Sequence, residues 1–219
     1  MPVYRKGRRS VESQNMIVRK AKPGTSFEKR EFVKPRAWTY DQSTLEDVES
    51  RLKYNLRKQV KSLCQNFKNP IIVDWGCGKG TALWHLSALF PNAKYFGLSD
   101  IRYIEWNKKE AINFIQAVEQ DFSRYFKDGT IDLLYSNWGL ENLPPQQTKK
   151  IINKLVPKLK IGGKIVAHYS IVYYLLKGTE YYDGTTFLSQ KFKKNRKTSF
   201  ENFDIIYEND SCISIIRTK

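Results

Sequence analysis

The stretch 71-IIVDWGCGKGT-81 decides the fold. Three apolar residues, Ile71, Ile72 and Val73, lead to Asp74, and glycines then recur at alternate positions, Gly76, Gly78 and Gly80. Helical spacing begins at Thr81. A buried strand that ends in an acid, turns on glycines and enters a helix presents backbone amides and a helix N-terminus to an anionic group. Asp74, just ahead of the turn, favours a cationic one. A ligand carrying carboxylate and ammonium at the same end suits both. The spacing is not the dinucleotide fingerprint G-x-G-x-x-G, because the third glycine comes one residue early. Nor is it a P-loop, since Gly80 follows Gly78-Lys79 where Ser or Thr is required.

Outward from this turn, strands and helices alternate. A helix opens near Ser43, where Ser43-Thr-Leu-Glu46 has the form of a capping box. Leu45, Val48, Leu52, Leu56, Val60 and Leu63 continue it at steps of three or four toward residues 66–70. Strands are expected at 71–75, 94–99, 131–136 and 164–169, with Gly162-Gly163 turning into the last. Residues 103–112 have helical character, and 114–118 forms another strand or prolongs that helix. A helix starts at Pro144 and runs to about residue 160. Such alternation predicts a parallel sheet. Residues 203–207 and 212–217 break it. The connection between them is too short for a parallel crossover, so they form an antiparallel hairpin.

The chain has 219 residues and a formal net charge of +16. Half of that excess lies in residues 1–40, which hold eleven basic against three acidic residues and few apolar ones. Residues 1–42 are therefore a basic arm, and 43–219 a domain with a leading helix at 43–68 and a core at 69–219. Such charge suits a polyanion such as RNA. A second basic run lies at residues 191–197. No apolar run approaches the twenty residues of a membrane span. The three cysteines, Cys64, Cys77 and Cys212, form no metal-binding spacing, so no metal site is expected. They suit a reducing, cytoplasmic setting.

Ligands of parallel sheets bind outside the carboxyl ends of the strands. Ser99 and Asp100 close the second strand, about twenty residues past the turn, where they can hold ribose hydroxyls. Glu119 and Asp121 are placed to read an adenine amino group. Ser136, Asn137 and Trp138 end the fourth strand. His168 ends the fifth and is the one plausible general base. Tyr169, Tyr173, Tyr181 and Tyr182 follow in an aromatic segment suited to an acceptor.

Together these residues resemble the class I S-adenosylmethionine (SAM)-dependent methyltransferases, over residues 69–219. VDWGCGKG is similar to that family's first motif, YFGLSD to its second and DLLYSNWGLENLP to its fourth. LKIGGKIV is similar to the turn into its fifth strand, and the closing hairpin to its sixth and seventh. The resemblance implies a Rossmann-like three-layer α/β sandwich with a mostly parallel seven-stranded sheet. It implies SAM as methyl donor, held by Asp74, Gly76, Cys77, Gly78, Gly80, Ser99, Asp100, Glu119, Asp121, Ser136, Asn137 and Trp138. Trp138 and the tyrosines would line the acceptor. The family usually has an acid two residues after the second motif's glycine, where this chain has Ser99. RNA is the favoured acceptor. The alternatives are a small molecule, or a non-catalytic protein that binds SAM or RNA.

Overall fold

The computed structural model describes residues 43–117, 119–141, 143–176 and 196–219. The basic arm and most of the second basic run lie outside the described residues.

Residues 43–66 form two helices rather than one, α1 (Leu45–Leu52) and α2 (Leu56–Asn66). The apolar period runs through the break and hides it. Lys53 adopts a left-handed conformation, with φ 47°, that closes α1. Asn55 then caps α2 by accepting the Lys58 N–H at 2.7 Å. The capping box is also one residue later than the expected one. Thr44 Oγ1 accepts the Asp47 N–H at 3.2 Å, and the Asp47 carboxylate accepts the Thr44 N–H at 2.8 Å. Ser43 instead accepts from Arg51, and Glu46 pairs with Arg57 across the break. The break lets α1 pack on α3 (Thr81–Leu89).

The strands are β1 (Ile71–Trp75), β2 (Lys94–Ser99), β3 (Ile112–Gln116), β4 (Ile131–Ser136), β5 (Leu159–His168), β6 (Lys197–Ser199), β7 (Phe203–Asn209) and β8 (Cys212–Arg217). They form one sheet in the order β3-β2-β1-β4-β5-β8-β7-β6. β1 to β5 are parallel and the rest antiparallel. The expected seven strands are present, with an eighth, the three-residue β6, added at the edge. β3 starts two residues before its expected place, because the helical stretch ahead of it is only the 3-10 segment Ile104–Lys108. Gly162 and Gly163 lie inside β5, not in a turn before it. There they form a bulge against β4, and a Cβ on Gly163 would come within 2.7 Å of the Ile131 carbonyl oxygen. The helix after β4, α4 (Pro145–Leu155), ends earlier than expected and passes through a 3-10 turn into β5.

Both faces of the sheet are covered, which makes the sandwich three-layered. Ile71, Val73 and Trp75 join Leu134, Ile165 and the apolar residues of α4 and α5 (Ser170–Leu176) on one face. Ile72, Leu133, Tyr135 and Val166 meet α1, α2 and α3 on the other. Chain order reverses between β1 and β4, so the crevice for a ligand opens between the turns after those two strands. Among the described residues, no helix is long and apolar enough to cross a membrane.

The opposite end of the sheet is held by a single buried carboxylate. Asp132 accepts the Ile71 N–H at 2.8 Å and pairs with Lys160 Nζ at 2.7 Å, which ties β1, β4 and β5 together. Asp132→Ala is expected to lower stability by about 1–3 kcal/mol, because it leaves a buried N–H without an acceptor. Asp132→Asn, which keeps an acceptor oxygen, should lose less. Thermal unfolding of the two variants measures the difference.

Candidate cofactor and acceptor site

The glycine turn is built by close backbone approach. Gly76, Gly78 and Gly80 all have positive φ, at 80°, 50° and 70°. A Cβ on Gly76 would lie 2.9 Å from the Gly139 Cα, and one on Gly80 would lie 2.5 Å from the Phe114 ring. The amides of Gly76 and Cys77 both donate to the Leu98 carbonyl, which fixes the turn to β2. The Gly80 amide donates to the Cys77 carbonyl at 2.8 Å. The amides of Gly78 and Lys79 have no backbone partner among the described residues. They stand at the N-terminus of α3, the arrangement that receives an anion. This donor set fits the carboxylate end of a methionyl group.

Asp74 is 5% exposed, on the face shared with α1, α2 and α3. Burial pushes its carboxyl up to about 7. The hydroxyl of Tyr135, its register partner on β4, is near enough to favour the charged form. That hydroxyl is itself buried without a hydrogen-bond partner among the described residues, so the pair lies outside hydrogen-bonding geometry. A cationic group at Asp74 would compensate a carboxylate that the protein alone leaves poorly solvated.

The other candidates occupy the same edge of the sheet. Ser99 is buried, and its Oγ accepts the Ile101 N–H at 3.2 Å, so its side chain holds the turn. The next residue, Asp100, is exposed. Glu119 and Asp121 lie in a 3-10 segment after β3 (Glu119–Tyr125), where Asp121 pairs with Arg124 at 2.9 Å. The Ser136 Oγ is buried and accepts the Leu140 N–H at 2.9 Å, which shapes the turn after β4. Asn137 and Trp138 continue that turn.

Trp138 has φ 72° and is 39% exposed. Its ring stacks on His168 at 5.8 Å and 18°, and His168 in turn meets Tyr169 at 4.6 Å. These three rings form an aromatic wall at the ends of β4 and β5. His168 Nδ1 lies 3.0 Å from Ser170 Oγ and accepts the Ser170 N–H at 3.4 Å. An Nδ1 that accepts leaves the proton of the neutral ring on Nε2. Half-burial lowers the His168 pKa, which favours that neutral ring. In this tautomer the outer edge of the ring can donate a hydrogen bond. The backbone of Tyr173 lies in α5, while its side chain, Tyr181 and Tyr182 are outside the described residues.

Sequence reasoning passed over Glu141. Its Oε1 accepts the His168 N–H at 2.9 Å, joining the β4 turn to β5. Its Oε2 is buried without a partner among the described residues, and burial pushes the carboxyl up to about 7. One signal was available: Glu141 is the only acid between Asp132 and Glu180.

Residues 73–167 match the methyltransferase domain family. Phosphoethanolamine N-methyltransferase of Triticum aestivum is 27% identical over 116 residues, covering 50% of this chain and 22% of that protein. This chain therefore spans less than a quarter of that relative's length. Among solved structures, the Burkholderia thailandensis 1,6-didemethyltoxoflavin N1-methyltransferase, with bound 1,6-didemethyltoxoflavin and S-adenosylhomocysteine, aligns with a TM-score of 0.51 at 10% identity. That alignment covers 83% of this chain and 81% of that one. Phosphoethanolamine N-methyltransferase 1 of Haemonchus contortus, in complex with phosphoethanolamine and S-adenosylhomocysteine, aligns at 0.44 with 19% identity, covering 60% and 30%. The matched residues run from β1 through the glycine turn to the end of β5, and the sheet around them has the layout of the solved Burkholderia thailandensis methyltransferase: over residues 73–167 the chain is similar to the methyltransferase domain family.

Proposed function

We propose that this domain binds SAM in the turn between β1 and α3 and transfers its methyl group to an acceptor at the Trp138–His168–Tyr169 wall. The observation that carries it is the pair of amides, Gly78 and Lys79, without a backbone partner among the described residues, at a helix N-terminus in the turn that follows the buried Asp74. The amides would take the methionyl carboxylate, Asp74 the ammonium, and Asp100 the ribose hydroxyls. Glu119 or Asp121 would meet the adenine. When bound, SAM supplies an electrophilic methyl on a sulfonium that is already a good leaving group. The chain is left with positioning. The aromatic wall orients a planar or apolar acceptor, and the His168 Nε2–H can donate to it.

RNA is the acceptor favoured by the +16 charge, half of it in residues 1–40. Contact would come from the basic arm and from residues 191–197. Two residues of the second run are described: Lys197 pairs with Asp204 at 2.8 Å, and Arg196 donates to the Glu208 carbonyl. A small-molecule acceptor is the second reading, favoured by the activity named for the wheat relative. A reducing, cytoplasmic setting belongs to the same proposal and is supported by Cys64, Cys77 and Cys212, which form no disulfide with one another.

Incubation with methyl-labelled SAM and separate RNA, protein and metabolite fractions is expected to label RNA. Label in the metabolites alone would replace RNA with the second reading, and label in none would sink methyl transfer itself. RNA affinity should also fall steeply with salt, with a log–log slope on the order of −3 or more if several phosphates are neutralised.

The buried Asp74 gives a pH-dependent prediction. Its folded pKa, about 7, lies above the ordinary value of 3.8. Between those values the folded state holds a proton that the unfolded state has released, so stability falls as pH rises through that window and levels off above it. Asp74→Asn does not titrate. Its melting temperature should therefore gain on wild type between pH 5 and pH 8, by roughly 5 °C at a few degrees per kcal/mol. SAM affinity should fall in the same variant, because the ammonium loses its counter-charge. Thermal scans and SAM titrations at both pH values test the two halves.

A further inference from the structure

The 3-10 segment between β2 and β3 grips the outer side of the glycine turn. Trp106 Nε1 donates to the Gly78 carbonyl at 2.9 Å, and Lys109 Nζ donates to the Lys79 carbonyl at 2.6 Å. Lys79 Nζ pairs with Glu105 at 2.8 Å. The Trp106 ring stacks on Phe114 at 4.5 Å and 7°, and Phe114 is the ring that lies under Gly80 and Gly97. Tryptophan and lysine here are thus fixed from below and bonded above to two successive carbonyls of the turn.

A trans peptide plane turns that grip into a statement about amides. The carbonyl of one residue and the N–H of the next point in opposite directions. With the Gly78 carbonyl held by Trp106, the Lys79 N–H must point away from the segment, toward the ligand side. With the Lys79 carbonyl held by Lys109, the Gly80 N–H points inward, where it meets the Cys77 carbonyl at 2.8 Å. Gly78, with φ 50°, has no Cβ to oppose a flip of the 78–79 plane. Something else must select its orientation, and the Trp106 indole N–H is the donor that does so.

We propose that Trp106 and Lys109 are positioning residues of the cofactor site, a clamp that sets the peptide planes of the glycine turn so that the Lys79 amide faces the carboxylate of the bound methionyl group. The proposal rests on the assignment of SAM to this turn. It adds a specific consequence: the clamp acts on ligands that carry the methionyl carboxylate and is indifferent to those that lack it. S-adenosylhomocysteine has that group and 5′-methylthioadenosine does not, so the two compounds separate positioning from general support of the fold.

Trp106→Phe keeps a ring on Phe114 and removes only the indole donor. Titration calorimetry should show S-adenosylhomocysteine bound roughly three- to ten-fold more weakly, the size of one hydrogen bond, with 5′-methylthioadenosine unchanged. Lys109→Met should behave likewise and Lys109→Arg should recover most of the loss. In turnover the KM for SAM should rise with kcat nearly constant. Unchanged S-adenosylhomocysteine affinity in Trp106→Phe, or equal weakening of both compounds, would overturn the clamp while leaving the cofactor assignment standing. Wild-type protein that binds neither compound would overturn the assignment and the clamp with it.

Discussion

Backbone touches backbone where the turn after β1 meets the turn after β4. A Cβ on Gly76 would lie 2.9 Å from the Gly139 Cα, and one on Gly139 would lie 2.4 Å from the Trp75 carbonyl oxygen. No side chain fits at either position. The two turns flank the point where strand order reverses, so this contact closes the floor of the only crevice that a parallel sheet offers a ligand by topology. The glycines of the first turn are needed for conformation as well, with positive φ at three alternate positions. Gly139 is needed for space alone. Gly97 serves the same end from β2, since a Cβ there would meet Cys77 Sγ and the Phe114 ring at 2.8 Å.

Around that floor the protein tolerates unfavourable groups that folding alone would not select. Asp74 and Glu141 are both buried acids with raised pKa values. Tyr135 Oη and Glu141 Oε2 are buried without partners among the described residues. Each such group costs on the order of 1–3 kcal/mol. At the other end of the sheet the buried Asp132 is satisfied by Ile71 and Lys160. The contrast is local: unmet polar groups gather at the carboxyl ends of β1 and β4 and their turns. A binding edge has this character, because its polar groups are completed by a ligand.

Much of this was legible because β1, β2 and β4 are short, buried and bounded by turns. Their limits agree with the apolar runs that encode them, and the terminal hairpin was forced by the four residues between its strands. What escaped had competing local signals. The break at Lys53 lies between apolar residues at helical spacing, and only a left-handed lysine followed by an asparagine cap marks it. Gly162-Gly163 looks like a turn, yet the ladder to β4 accommodates both glycines as a bulge. At the site, the glycine turn was visible in its spacing. Glu141, Trp106 and Lys109 were not, because their work is done on backbone groups that leave no motif. The His168 tautomer depends on Ser170, two residues away, and needs coordinates to be seen.

The glycine turn and the aromatic wall, the sides proposed for donor and acceptor, are also mechanically one unit. The short turn over residues 136–141 carries Gly139, which rests on the glycine turn, and Trp138, which belongs to the aromatic wall. It also carries Glu141, which holds the His168 N–H at 2.9 Å. Ser136 Oγ, accepting from Leu140, fixes the turn from within. Methyl transfer requires the acceptor atom in line with the sulfonium at near contact, and an error of an ångström is costly. If the acceptor wall hung from a separate element, that distance would depend on how two elements packed. Here the same few residues touch both sides, so the separation is set by the covalent geometry of one turn braced at both ends. A larger residue at Gly139 would therefore move the Trp138 wall together with the floor of the proposed cofactor site. Its damage would appear in the coupling between the two substrates as well as in the binding of either one.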